Sequence, residues 1–140
     1  MARVRFPDGT CVEAVRIRGR RPENPDRDYG LYFDHVWRPT WPAEVVDWED
    51  FGLPMDPDRA AEQICQVFAR ARRGERVEIG CIGGLGRTGT ALGCMAVLAG
   101  VPAAGAVAWV RTHYDPKAIE TPEQELWVAW FVSTVRRTAS

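Results

Sequence analysis

Lysine is almost missing from this 140-residue chain: of its 18 basic side chains, seventeen are arginine and one is lysine, Lys117. Nineteen acidic side chains balance them to a net charge of -1, so neither a protein that wraps nucleic acid nor a polybasic membrane-surface module is expected. The arginine skew reads as the codon bias of a GC-rich genome more than as a binding surface. Histidine is also scarce, with only His35 and His113. None of the four cysteines, Cys11, Cys65, Cys81 and Cys94, forms a C-x-x-C pair, so no metal site and no cofactor is implied. The first charged residues, Arg3 and Arg5, are followed by Pro7-Asp8-Gly9 and not by an apolar core. A secretory signal is therefore not expected, a disulfide reading is weak, and the expected location is cytoplasmic. A membrane-length hydrophobic run is lacking too. Thr88 to Val110 carries no charge over 23 residues, but Gly100-Val101-Pro102 interrupts it and Ala and Gly dominate it. Two buried helices joined by a turn explain the stretch better than a bilayer span.

What is present suffices for one domain, 1–140, with 46% hydrophobic and 26% charged residues. Val4 and Phe6, then Val15 and Ile17, alternate with polar residues around the Pro7-Asp8-Gly9 turn, which predicts an N-terminal β-hairpin. Gly19 to Asp28 reads as a surface loop. Leu31–Phe33 and Val45–Asp47 read as short strands. Asp56-Pro57 is an N-cap followed by proline at the first helical position, Ile64, Val67, Phe68 and Ala71 recur at helical spacing, and Gly74 closes that helix. Arg76–Ile79 predicts a strand running into a glycine-rich turn. A helix follows to about Ala99, another from Pro102 to about Tyr114, and a last one opens at Thr121-Pro122. The fold class is α/β, a small central sheet flanked by helices.

The turn Gly80-Cys81-Ile82-Gly83-Gly84-Leu85-Gly86-Arg87-Thr88-Gly89 carries two overlapping patterns. Gly84-x-Gly86-x-x-Gly89 matches a dinucleotide fingerprint between a strand and a helix, but the acidic residue required about 20 positions on is missing from a segment that reads as helix. A Walker-type loop is excluded, because Arg87 stands where lysine is needed. The second pattern, Cys81, five residues, then Arg87-Thr88, is far more specific. Three glycines between Cys81 and Arg87 let the backbone wrap so that successive N–H groups of Ile82, Gly83, Gly84, Leu85 and Gly86 point at one anion. The helix N-terminus adds positive potential, and Arg87 can pair bidentately with two phosphate oxygens. The same groups stabilise an anionic sulfur, which makes Cys81 a nucleophile rather than a small buried hydrophobe.

At these residues the sequence resembles the cysteine-dependent protein tyrosine phosphatase superfamily, whose loop reads His-Cys-x-x-Gly-x-Gly-Arg-Ser/Thr-Gly. Every position from Cys81 to Gly89 fits. The resemblance implies a compact fold like that of the dual-specificity and bacterial members, and it covers about residues 45–130. It also implies that Cys81 attacks phosphorus, that Arg87 and the loop amides hold the phosphoryl oxygens, and that the Thr88 hydroxyl supports the leaving thiolate. Gly80 departs from the pattern. The family's histidine at that place is thought to order the loop and its thiolate, so the departure puts the rate in question.

Ester cleavage also needs a proton donor from a second loop. Trp48-Glu49-Asp50-Phe51-Gly52 resembles the family's Trp-Pro-Asp acid loop, which makes Asp50 the expected general acid and Asp47 its rival. Ala118-Ile119-Glu120-Thr121-Pro122-Glu123-Gln124 is similar to the family's water-positioning glutamine loop. Thr121-x-x-Gln124 is also a capping box, so Gln124 has two open readings. Glu120, a charge unfavourable near phosphate, is expected to point away. Trp127, Trp130 and Phe131 read as core. Trp37, Trp41 and Trp48 either wall a pocket or pack loops down, and nothing in the sequence places His35 or Arg38.

Two functions follow. The first is a metal-independent hydrolase of a phosphate monoester, either a phosphotyrosine protein or a small phosphorylated molecule. The second, motivated by Gly80 and Glu49, is a module that binds a phosphorylated partner without turning it over. Sulfur or arsenate chemistry in the same cradle fits less well, since the low-mass phosphatases and arsenate reductases carry their cysteine near the N-terminus. The loop residues Ile82, Gly83 and Leu85 are uncharged, which argues against a highly anionic lipid headgroup.

Overall fold

The computed structural model of the chain describes residues 2–17, 26–34 and 39–139, the last four of these as backbone only. Five strands form one sheet: β1 (Ala2–Arg5), β2 (Cys11–Arg16), β3 (Tyr29–Phe33), β4 (Ala43–Val46) and β5 (Val77–Cys81). Their spatial order is β1-β2-β5-β3-β4, with β1 and β2 antiparallel and every other neighbouring pair parallel. Among the described residues four α-helices accompany the sheet: α1 (Pro57–Arg72), α2 (Gly86–Leu98), α3 (Ala106–His113) and α4 (Pro122–Ala139). The architecture is the expected α/β fold with its N-terminal hairpin.

The central strand β5 is buried at every position, as a strand flanked by parallel neighbours requires. Its alternation divides the molecule. Val77, Ile79 and Cys81 join Leu31, Phe33, Val12 and the helices in one large core. The opposite face is smaller, with Val15, Ile17 and Tyr32 packed against Trp41. Glu78 is buried there, where its carboxylate accepts from Arg27 Nε at 3.1 Å and from the Tyr32 hydroxyl at 2.7 Å. Arg27, expected on a surface loop, is therefore a core residue whose side chain is 2% exposed. Removing either partner of such a pair costs about 3–5 kcal/mol, because the other charge stays buried. Residues 18–25, the rest of that expected loop, lie outside the described residues.

Helix α1 begins as its cap dictates, the Asp56 carboxylate accepting from the Arg59 N–H at 3.1 Å. Ile64, Val67 and Phe68 are fully buried along one stripe, each worth about 1.5–3 kcal/mol. Strand boundaries moved in three places, the first being β3, which starts at Tyr29 rather than Leu31. β4 covers Ala43–Val46 rather than 45–47, because Ala43 pairs with Gly30 and Val46 with Phe33. β5 runs on through Gly80 and Cys81, because these pair with Val15 and Arg16 on one side and with Tyr32 and Phe33 on the other. The third helix opens with a 3-10 turn, Ala103–Gly105, before α3 proper. No described helix is long and apolar enough to cross a membrane.

Candidate active site

The strand extension places Cys81 as the last residue of β5, buried to 2% exposure at the floor of the glycine-rich turn. Its Sγ accepts two hydrogen bonds, from the Gly84 N–H at 3.2 Å and from the Thr88 hydroxyl at 3.0 Å. The first requires the loop to fold back on itself, which Gly84 permits by taking φ +72. A side chain there would also strike Arg16 Cγ at 2.8 Å. Thr88 is fully buried in the first turn of α2. Both donors and the N-terminal end of that helix face one sulfur.

Position 80 now has a physical explanation. Gly80 faces away from Cys81 across the sheet, and a β-carbon there would come within 2.7 Å of Val15 Cγ2 and 2.8 Å of the Val15 carbonyl. Strand β2 occupies the space that the resemblance gives to histidine.

Arg87 is 2% exposed. Its Nη1 donates to the Trp48 carbonyl at 2.8 Å, which aims the guanidinium, while Nε and Nη2 are buried without a hydrogen-bond partner. A guanidinium left with two free buried donors next to a thiol is chemically incomplete, and a phosphoryl group with two oxygens would complete it. The Asp50 carboxylate lies 3.6 Å from Nη2, with half of its side chain exposed. Asp47 is exposed, and its carbonyl accepts from the Met55 N–H at 2.9 Å. The structure thus brings Asp50, not Asp47, to Arg87. The acid loop hangs on Trp48, whose indole is fully buried, packs on Phe33 and Trp127, and donates to the Gly52 carbonyl at 2.8 Å.

The connection between α3 and α4 forms the remaining wall. Glu120 does not point away as expected. Its carboxylate faces the Gly86 N–H and the Arg87 guanidinium, so close that a β-carbon at Gly86 would overlap it. Burial and the nearby Asp50 charge push its carboxyl above the usual range, against the pull of Arg87 and the Gly86 N–H. Gln124 is fully buried and serves as a cap: its Oε1 accepts from the Glu120 N–H at 2.9 Å, and its own N–H donates to Thr121 Oγ1 at 3.1 Å. Its Nε2 reaches the Gly52 carbonyl at 3.3 Å, which ties α4 to the acid loop. Sequence reasoning passed over Tyr114, whose hydroxyl donates to the Gly84 carbonyl. A tyrosine at a helix end carries no motif.

Trp41 packs edge-on against Tyr32 on the far face of the sheet, and Trp127 and Phe131 are buried, so these aromatics hold structure together rather than line the site. His35, Trp37 and Arg38 lie outside the described residues. Cys94 is fully buried and Cys65 half-buried, and burial raises both thiols. No group of His, Cys, Asp and Glu able to hold a metal occurs among the described residues.

No protein-family model matches the chain. An uncharacterized protein of Methanocaldococcus jannaschii is 32% identical over 120 residues, spanning 76% of this chain and 72% of its own. A second protein of that organism is 36% identical over 109 residues, spanning 70% and 71%. Both relatives are archaeal, whereas the resemblance had extended to bacterial members. Among solved structures, Tk-PTP in its active form matches with a TM-score of 0.65 at 26% identity, over 76% of this chain and 78% of that one. Human DUSP28 matches in fold with a TM-score of 0.68 at 14% identity, over 96% and 99%.

Proposed function

We propose that the chain, whose fold matches solved structures of the cysteine-dependent protein tyrosine phosphatase superfamily, is a compact dual-specificity-like member of it and hydrolyses phosphate monoesters through a phosphocysteine. The observation that supports this best is the pairing of a doubly hydrogen-bonded Cys81 Sγ with an Arg87 that keeps two buried donors free.

In the first step Cys81 thiolate attacks phosphorus. A sulfur–phosphorus bond forms, the ester phosphorus–oxygen bond breaks, and the leaving oxygen takes a proton from Asp50. The Arg87 donors and the N–H groups of Ile82, Gly83, Gly84, Leu85 and Gly86 hold the phosphoryl oxygens where charge builds up. In the second step water attacks phosphorus and gives a proton back to Asp50. The sulfur leaves as thiolate, supported by Thr88, and inorganic phosphate departs. Gln124, committed to capping α4 and to Gly52, would help position that water only through its place beside Gly86.

Substrates of this reading are a phosphorylated protein or a small phosphate ester. The test is hydrolysis of p-nitrophenyl phosphate in the presence of a chelator by the wild type and Cys81→Ser. Turnover by the wild type alone is expected. Full activity in Cys81→Ser would overturn the mechanism, and an inactive wild type that still binds phosphotyrosine would favour the binding module.

A further inference from the structure

The connection between α3 and α4 touches three consecutive residues of the phosphate loop. The Tyr114 hydroxyl donates to the Gly84 carbonyl, the Ile119 N–H donates to the Leu85 carbonyl at 3.2 Å, and the Glu120 carboxylate faces the Gly86 N–H. This connection is itself fixed. Arg111 donates from Nε to the Ala118 carbonyl at 3.0 Å and from Nη2 to the Ile119 carbonyl at 2.9 Å, and Ile119 is held at φ +64, a left-handed conformation rare for a branched residue. At the other end of the loop Gly80 has no side chain to contribute, and the Val15 carbonyl lies where one would stand.

A trans peptide directs its C=O and the following N–H to opposite sides. Pinning the Gly84 carbonyl outward therefore turns the Leu85 N–H inward, toward the side where Cys81 Sγ and the free Arg87 donors lie. We propose that Tyr114 is a positioning residue: its hydroxyl fixes the Gly84–Leu85 peptide so that the phosphate loop stands ready for an oxyanion, taking over the ordering that residue 80 cannot provide. The proposal rests on the phosphate-binding reading of the loop given above.

The groups facing the hydroxyl fit this role. Burial, with the Cys81 sulfur and Asp115 beside it, pushes Tyr114 up to about 12 against the opposing pull of Arg16. The phenol thus keeps its proton, and can donate it, throughout the neutral range.

Two variants test the role. Tyr114→Phe keeps the ring and removes the donor. It is expected to lower kcat for p-nitrophenyl phosphate and to weaken tungstate binding, each by about tenfold, with a Tm change of less than about 3 °C. Trifluorotyrosine at position 114 keeps the ring and hydroxyl but ionises at a lower pH than tyrosine in the same surroundings. Its kcat is expected to fall further on the alkaline side than the wild type's, as the phenol loses its proton, beyond the limb that the acid Asp50 gives both proteins. Wild-type tungstate affinity in folded Tyr114→Phe, or a trifluorotyrosine pH profile superimposable on the wild type, would overturn the proposal. A wild type that binds tungstate without hydrolysing the ester would sink the phosphatase reading instead, and the tungstate affinities would still decide the role of Tyr114.

Discussion

The two loops that meet at Arg87 are built in opposite ways. The phosphate loop is held along its length: Cys81, Arg87 and Thr88 are buried, and Gly84, Leu85 and Gly86 are each engaged by the connection between α3 and α4. The acid loop is anchored at Trp48 and at the Gly52 carbonyl, while Phe51 at 61%, Leu53 at 40% and Met55 at 68% exposure project outward and Phe51 takes φ +60. The difference follows from the work each loop has to do. Oxyanion stabilisation depends on donors fixed before the substrate arrives, because reorganising them during reaction would cost what they contribute. A proton donor needs only to reach the leaving oxygen, and a loop that carries it over the mouth must let substrates in and out.

Substitutions in the two loops sharpen this contrast. In the held loop, Cys81→Ser is expected to lower kcat by about 10⁴-fold or more in steady-state aryl phosphate assays, since it removes the nucleophile of the proposed mechanism. In the projecting loop, Asp50→Asn is expected to cost about 10²-fold, while Asp47→Asn stays within about twofold. A larger loss in Asp47→Asn would transfer the acid role and break the geometric assignment.

Two smaller effects probe the supports. Gly80→Ala forces a methyl against the Val15 carbonyl and is expected to destabilise the fold by about 1–3 kcal/mol in urea melts. A neutral outcome would mean that β2 yields easily there. Glu120→Gln has the smallest expected effect. The folded-state pKa of Glu120 lies above the ordinary one, so its ionised form carries a stability penalty that is full above the folded pKa and is relieved as pH falls through it. Glu120→Gln should therefore raise Tm at pH 7.5 by no more than about 2 °C, with the gain fading toward acid pH in parallel thermal melts.

Much of the held loop was legible in the sequence, because its function is carried by backbone. Backbone wrapping demands glycine at set places, and Cys81, Gly84, Gly86 and Arg87 record that demand one residue at a time. The α1 cap at Asp56-Pro57 and the 3.6-residue stripe of Ile64, Val67 and Phe68 were legible for the same reason, since each reflects a local rule. What was not legible depended on distant packing. Glu120 was expected to point away because its charge opposes a phosphate, yet from its exposed position the carboxylate turns to the Gly86 N–H and to Arg87. Arg27 lay in a segment that looked solvated, and only the buried Glu78 across the sheet explains its burial. Gly80 looked like a defect in a motif until Val15 was seen to occupy the space. Gln124 satisfied two patterns at once, and its hydrogen bonds to Glu120, Thr121 and Gly52 show that it makes the capping contacts.

The central claim concerns one covalent bond, and intact-protein mass spectrometry tests it most directly. Wild-type protein mixed with excess p-nitrophenyl phosphate and quenched in acid within milliseconds is expected to carry a single added phosphoryl group, mapped by peptide fragmentation to Cys81 and missing from Cys81→Ser. Turnover by wild type with no phosphorylated species at any quench time, or a phosphoryl group on a residue other than Cys81, would contradict the mechanism.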